Sequence, residues 1–187
     1  MMSEPIIGPL PPVFEETQRF DQLWLKILMF AIAAVQFGLI VSAIYTQFYR
    51  GIPFGDKPMA DGPLLITLVL MLLIGVLLPL LILAVKLEVR LDPLQLRLRL
   101  WPFADKTLPL ADIVSWQVRD YRPLRDFGGW GMHYSFKLKA WAYNARGSRG
   151  VFLELKDGKK IMVGSQRADQ LAQALASSKG SGLHFSL

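Results

Sequence analysis

Hydrophobic positions change their spacing twice along this chain. From Ile27 to Tyr49 there are 23 residues without a formal charge, and from Gly62 to Val85 there are 24. Neither run alternates. Each reaches roughly 35 Å as a helix, enough for a hydrocarbon core of about 30 Å. The second run holds 17 Leu, Ile or Val, which sum to roughly −5 to −10 kcal/mol on an insertion scale. The first contains Gln36 and Gln47 and inserts less strongly. Pro79 lies inside the second and frees the carbonyl of Gly75, so a kink is expected there. The pattern predicts a transmembrane hairpin: a segment 1–26, helix one over 27–49, a short loop 50–61 and helix two over 62–85. Val41-Ser42-Ala43 fits a small-residue cleavage site. The long acidic stretch before the run and the run's length argue against a cleaved signal peptide.

After Val85 the period becomes two. Leu87, Val89 and Leu91 alternate with Glu88 and Arg90, and Leu94, Leu96, Leu98 and Leu100 alternate with Gln95, Arg97 and Arg99. This argues for strands with one buried face, separated by an Asp92-Pro93 turn. The first strand leaves helix two with almost no linker, so the sheet is expected to lie against the membrane surface. Further strands are expected over 106–108, 114–121, 134–143, 151–156 and 160–164, with an Asp157-Gly158 hairpin turn between the last two. Then Ala168, Leu171, Ala172 and Leu175 form one apolar helical face. Ser165 is a candidate cap, and Gly180 and Gly182 end the helix. The expected architecture is a small α+β or all-β domain over 86–178, about seven antiparallel strands capped by a C-terminal helix. A flexible tail follows over 179–187.

Charge sharpens this division. Residues 1–85 carry a net charge of −2 and residues 86–187 a net charge of +8. Arg19 and Lys26 precede helix one, and Lys86, Arg90, Arg97 and Arg99 follow helix two, against Arg50 and Lys57 in the loop. The bias places both termini in the cytoplasm. The chain has no cysteine, which removes disulfides and thiolate chemistry.

Within the second half, three stretches stand out. They are Phe127-Gly128-Gly129-Trp130-Gly131-Met132-His133-Tyr134, then Ala142-Tyr143-Asn144 and Arg149-Gly150-Val151, then Leu153-Glu154-Leu155 with Asp157-Gly158-Lys159-Lys160. Together they resemble a family of small bacterial membrane proteins that carry two membrane helices and a bacterial PH-like domain. The resemblance covers roughly residues 86–178. It implies a PH-like (pleckstrin-homology-like) fold, the two-helix topology and a bacterial inner-membrane location, and little about activity. Where the family pattern often has arginine this chain has His133, which weakens any anionic contact expected there.

No catalytic, cofactor-binding or metal-binding constellation emerges. His133 adjoins an aromatic strand and His184 sits in the tail. Neither forms a ligand set with carboxylates on one element. Gly128-Gly129-Trp130-Gly131 lacks the Lys-Ser/Thr of a phosphate loop and reads as a turn needing positive φ. What remains is surface. Arg119, Arg122, Arg125, Lys137, Lys139, Arg146 and Arg149 form a candidate basic patch, with Trp130, Trp141 and Tyr143 as candidate interfacial aromatics. Lys137, Lys139, Trp141 and Tyr143 are expected on one face of one strand. Ala34, Gly38 and Ser42 form a small-residue face on helix one, suited to packing on helix two or on another membrane protein. The expected role is a non-enzymatic, membrane-anchored interaction module without a cofactor. Its partners would be the lipid bilayer, a membrane or cytoplasmic protein, or anionic lipid headgroups; no RNA or DNA motif is present. The alternative is an accessory or assembly subunit of a larger membrane complex, held through helix one.

Overall fold

A computed structural model describes residues 11–182 of the chain. His184 and the end of the expected tail lie outside them. The chain divides into a helical unit, Phe20–Ala84, and a β unit built from the N-terminal segment up to Arg19 together with everything from Val85.

In the helical unit, α1 (Leu23–Ala43) continues as a π-helical turn over Ile44–Tyr49, and α2 spans Asp61–Ala84. Both helical runs, of 27 and 24 residues, are long and apolar enough to cross a membrane, and only 6% of the most apolar window of each is buried. Their mutual contact is narrow. It is centred on Ile40, Ala43, Leu64 and Leu68, with Phe54 and Met71 alongside. The remaining apolar side chains point outward on all sides; Phe30, Phe37, Leu65, Leu73 and Leu80 are examples. A helix apolar all round needs an apolar environment.

Two glutamines organise this unit. The Gln36 side-chain amide donates to the Met71 carbonyl. A Cβ at Gly75 would meet Gln36 Oε1 at 2.1 Å, so glycine is what lets the amide reach the α2 backbone. Gln47 ties down the loop: its Nε2 donates to Met59 O at 2.9 Å and Asp61 Oδ1 at 2.7 Å, and its Oε1 accepts from Phe54 N at 3.1 Å. α2 runs unbroken past Pro79. Ala34, Gly38 and Ser42 are exposed, and nothing lies within 4 Å of a Cβ built at Gly38. The expectation that this small face packs on helix two is therefore corrected. Gln36, Ile40 and Ala43 hold that role, because they lie on the opposite side of α1.

The β unit contains two sheets. The first is an antiparallel meander of β1 (Phe14–Arg19), β2 (Lys86–Leu91), β3 (Gln95–Trp101) and β4 (Ala104–Pro109). The second comprises β5 (Ile113–Asp120), β6 (Gly131–Ser135), β7 (Ala140–Asn144), β8 (Arg149–Leu155) and β9 (Lys160–Gly164), in the order β5-β8-β9-β7-β6. The expected alternation holds except at Leu94, which lies in the turn before β3 and is exposed: Leu87, Val89, Leu91, Leu96, Leu98 and Leu100 are all buried, as are Leu153, Ile161 and Val163 on the second sheet's strands. α4 (Ala168–Gly182) packs on β5, β8 and β1, burying Leu171 and Leu175.

Three features differ from the sequence expectation. First, β1 precedes the helices and pairs with β2 from Phe14↔Leu91 to Arg19↔Lys86. Its inward side chains are Phe14, Glu16 and Gln18. Glu16 accepts from Ser165 Oγ at 2.5 Å and from Gln166 N at 2.8 Å, and Gln18 Nε2 donates to Gly164 O at 2.8 Å. Two buried polar side chains thus pin the strand to the approach of α4, where Ser165 Oγ also accepts from Arg167 N. Second, the single strand expected over 134–143 is two, β6 and β7, joined by a turn over 136–139. That makes nine strands among the described residues rather than about seven. Third, β7 and β9 pair in parallel, from Ala140↔Lys160 to Tyr143↔Val163, within an otherwise antiparallel arrangement.

Candidate anion-binding cleft

The stretch between β5 and β8 builds an open concavity in the β unit. β5 ends at Asp120, and Arg122-Pro123 then opens the short helix α3 (Pro123–Phe127), with proline at its start where no amide bond is lost. Asp126 Oδ2 accepts from Arg122 N at 2.8 Å, fixing the entry to this turn. Gly128 ends it in the left-handed conformation at φ 79°, which glycine adopts without penalty. Gly129 and Gly131 also have positive φ, at 144° and 118°. The glycine block is therefore a helix exit leading into β6. His133 holds it from the side: its Nε2 donates to Trp130 O at 2.9 Å, and its ring lies 3.5 Å from a Cβ built at Gly131. Trp130 is half-buried, with its Nε1 donating to Gly147 O at 3.3 Å.

The result is an open cleft of about 750 Å³ whose lining includes Arg122, Arg125, Lys137, Trp130 and Ser148, with Asp120 and Asp126 also present. Both carboxylates are engaged at its edge. Asp126 holds the Arg122 amide, and Asp120 lies 3.8 Å from Arg149 Nε. The side-chain cations of Arg122, Arg125 and Lys137 have no carboxylate partner among the described residues. Two planar guanidinium groups beside an ammonium and an indole suit a multi-oxygen anion, which accepts several charge-assisted hydrogen bonds at once.

Beneath the cleft, Tyr121 packs edge-to-face on Phe127, with ring centroids 5.7 Å apart. Burial pushes its phenol up to about 12, against a smaller opposing effect of the Asn144 amide. Asn144 accepts from Gly131 N at 2.9 Å and so ties the glycine block to β7. Gly164 completes the packing: a Cβ there would meet Asn144 Cβ at 2.7 Å and the Tyr121 hydroxyl at 2.8 Å.

The seven residues of the expected basic patch do not form one surface. Arg122, Arg125 and Lys137 meet at the cleft. Arg119 stacks 5.3 Å over the Phe152 ring. Arg149 is neutralised by Asp169 at 3.0 Å and by Asp120. Arg146 lies exposed in the β7–β8 connection. Lys139 sits in the β6–β7 turn beside Lys159 and Lys160. Lys137 and Lys139 are thus turn residues, not strand residues sharing a face with Trp141 and Tyr143. Of the three aromatics, Trp130 is half-buried and Trp141 exposed, while Tyr143 is buried at 4% exposure and serves the core. Burial also raises the Tyr143 pKa. Among the described residues, no group of three or more His, Cys, Asp or Glu is placed to hold a metal ion.

No family model matches the sequence, and no curated protein or solved structure is detectably similar to it.

Proposed function

We propose that this chain is a non-enzymatic interaction module anchored in a bacterial inner membrane by α1 and α2. Its PH-like β unit would receive an anionic group at the Arg122–Arg125–Lys137–Trp130 cleft. The group is supplied by a lipid headgroup or by an acidic segment of a protein partner at the cytoplasmic face. The observation that carries this reading is the convergence on one cleft of three cations without a carboxylate partner among the described residues, in a chain with two helices apolar on every side. A PH-like assignment is supported by the order of the elements. A four-strand meander is followed by a second antiparallel run, β5-β8-β9, and a C-terminal helix; α3, β6 and β7 read as an insertion that widens the second sheet. Cytoplasmic placement is supported by the Lys and Arg excess outside the loop.

The test uses the tagged full chain in native membranes, beside an Arg122→Glu/Arg125→Glu variant. Both should resist carbonate extraction, and the variant should lose the protein or anionic lipid that co-purifies with the parent. Identical companions for both chains would reject the cleft as the binding site, and release by carbonate would reject the anchoring.

The exposed Ala34/Gly38/Ser42 face favours a second reading, an accessory or assembly subunit that packs on another membrane protein through α1. Gly38→Leu should then abolish co-migration on native gels while leaving insertion intact.

A further inference from the structure

The end of the second sheet where the β6–β7 turn lies has a chemistry unlike the cleft. Phe136 stands at the turn and is 86% exposed. Behind it, Tyr134 and Trp141 are 39% and 37% exposed. The three rings form one cluster: Tyr134 and Phe136 meet edge-to-face at 5.2 Å, and Tyr134 and Trp141 lie 5.3 Å apart. The turn itself carries Lys137 and Lys139. The parallel register Ala140↔Lys160 brings the β8–β9 turn to the same end. There Lys159 and Lys160 share a depression of about 370 Å³ with Tyr134, Lys139 and Trp141. Carboxylates answer only part of this charge: Asp157 holds Lys159 at 2.6 Å, and Glu154 lies 3.5 Å from Lys160. Lys139 is the one described non-glycine residue with positive φ, at 48°. A glycine would fit that conformation more easily, so the turn retains a cation at a conformational cost.

We propose that this turn is a lipid-engaging tip: Phe136 enters the headgroup–acyl boundary of an anionic leaflet, Tyr134 and Trp141 sit at headgroup level, and the surrounding lysines bind lipid phosphates. The zoning is that of membrane-interface segments, with an apolar extremity, then amphipathic rings, then cations. Charge complementarity selects an anionic surface. Area argues against a protein partner. Three rings of roughly 150–250 Å² each, partly covered already, fall short of the ~800 Å² per partner of a stable interface. A small contact suffices for a domain tethered to the bilayer, because tethering makes the second attachment intramolecular. The proposal rests on the anchoring proposed above and adds a second contact, which shares only Lys137 with the cleft.

The chain has no cysteine, so a single one can be placed and labelled. The full chain carrying Phe136→Cys with an environment-sensitive fluorophore is reconstituted in phosphatidylcholine vesicles with or without phosphatidylglycerol. Gln117→Cys, on exposed β5, is the reference. With phosphatidylglycerol, the label at 136 should shift to the blue, resist aqueous iodide and be quenched by spin-labelled lipid, while the label at 117 does none of these. Lys139→Gln with Lys160→Gln, both outside the cleft, should lower the inserted-to-free ratio by up to about 30-fold, the effect of removing two lysines from an anionic surface. Equal iodide access at both positions would overturn the proposal. So would shielding at 136 that ignores both lipid charge and the lipid-borne quencher, since that marks a protein contact. Carbonate extraction of the same vesicles separates the two levels. An exposed label on a resistant chain rejects the tip alone, and a stripped chain rejects the anchoring.

Discussion

The two units solve the placement of apolar side chains in opposite ways. In the β unit, Leu98 and its neighbours alternate with charged residues and are fully buried against one another. In the helical unit, Leu73 is as apolar as Leu98 yet about half exposed, and most of its helix shares that exposure. One unit provides its own interior; the other has an interior only where something else supplies it. Polar side chains follow the same division. Glu16 and Gln18 enter the β unit because Ser165, Gln166 and Gly164 meet them with hydrogen bonds. Gln36 is tolerated in the helical unit because a bare glycine in α2 leaves room for its amide.

This contrast can be broken most decisively at Leu98. Leu98→Ala should cost about 2–5 kcal/mol, read as a lower unfolding midpoint of the full chain in detergent, with the helical signal unchanged. A smaller loss would mean that the sheets are not packed as a core. Next is Leu73→Arg, which should disfavour insertion by about 3 kcal/mol. The carbonate-resistant fraction is the measurement, and a parent-like fraction would remove the case for a lipid environment.

An alkaline titration sharpens the β side. The Tyr121 phenol titrates near 12 when folded and near 10 when unfolded. A raised folded value means that stability is intact below pH 10 and falls as pH climbs toward 12, by a few kcal/mol at most. Tyr121→Phe should flatten that segment of the stability curve; an unchanged slope would assign the loss to other groups. On the same side, Gly164→Ala should cost about 1–3 kcal/mol through overpacking against Asn144 and Tyr121. Equal melting of parent and variant would show that the neighbours move aside freely.

Much of this division can be read from the sequence, for physical reasons that also explain the failures. The helical runs lack charges, and β2 and β3 alternate cleanly. β1 escapes because two of its three inward residues, Glu16 and Gln18, are polar, so period two carries no apolar signal there. β6 and β7 fuse in the sequence because Phe136-Lys137-Leu138-Lys139 keeps the alternation going through the turn. No glycine, proline or asparagine marks the reversal; a lysine takes the left-handed conformation instead. The cations of the cleft are visible as basic residues, but their meeting depends on α3 and on the parallel β7–β9 pair, which no local spacing reveals. Arg149 likewise looks available until Asp169, far along the chain, is brought beside it.

The pairing of β1 with β2 sets an order of assembly. β1 leaves the ribosome ahead of both helices, while the strand it needs is synthesised only after them. Its backbone must wait, unmatched, until both helices have been made and β2 follows them. Closure of the first sheet is therefore a late event, and the groups that meet Glu16 and Gln18, from Gly164 to Gln166, are made later still, so both side chains stay without their partners until the last strand is complete.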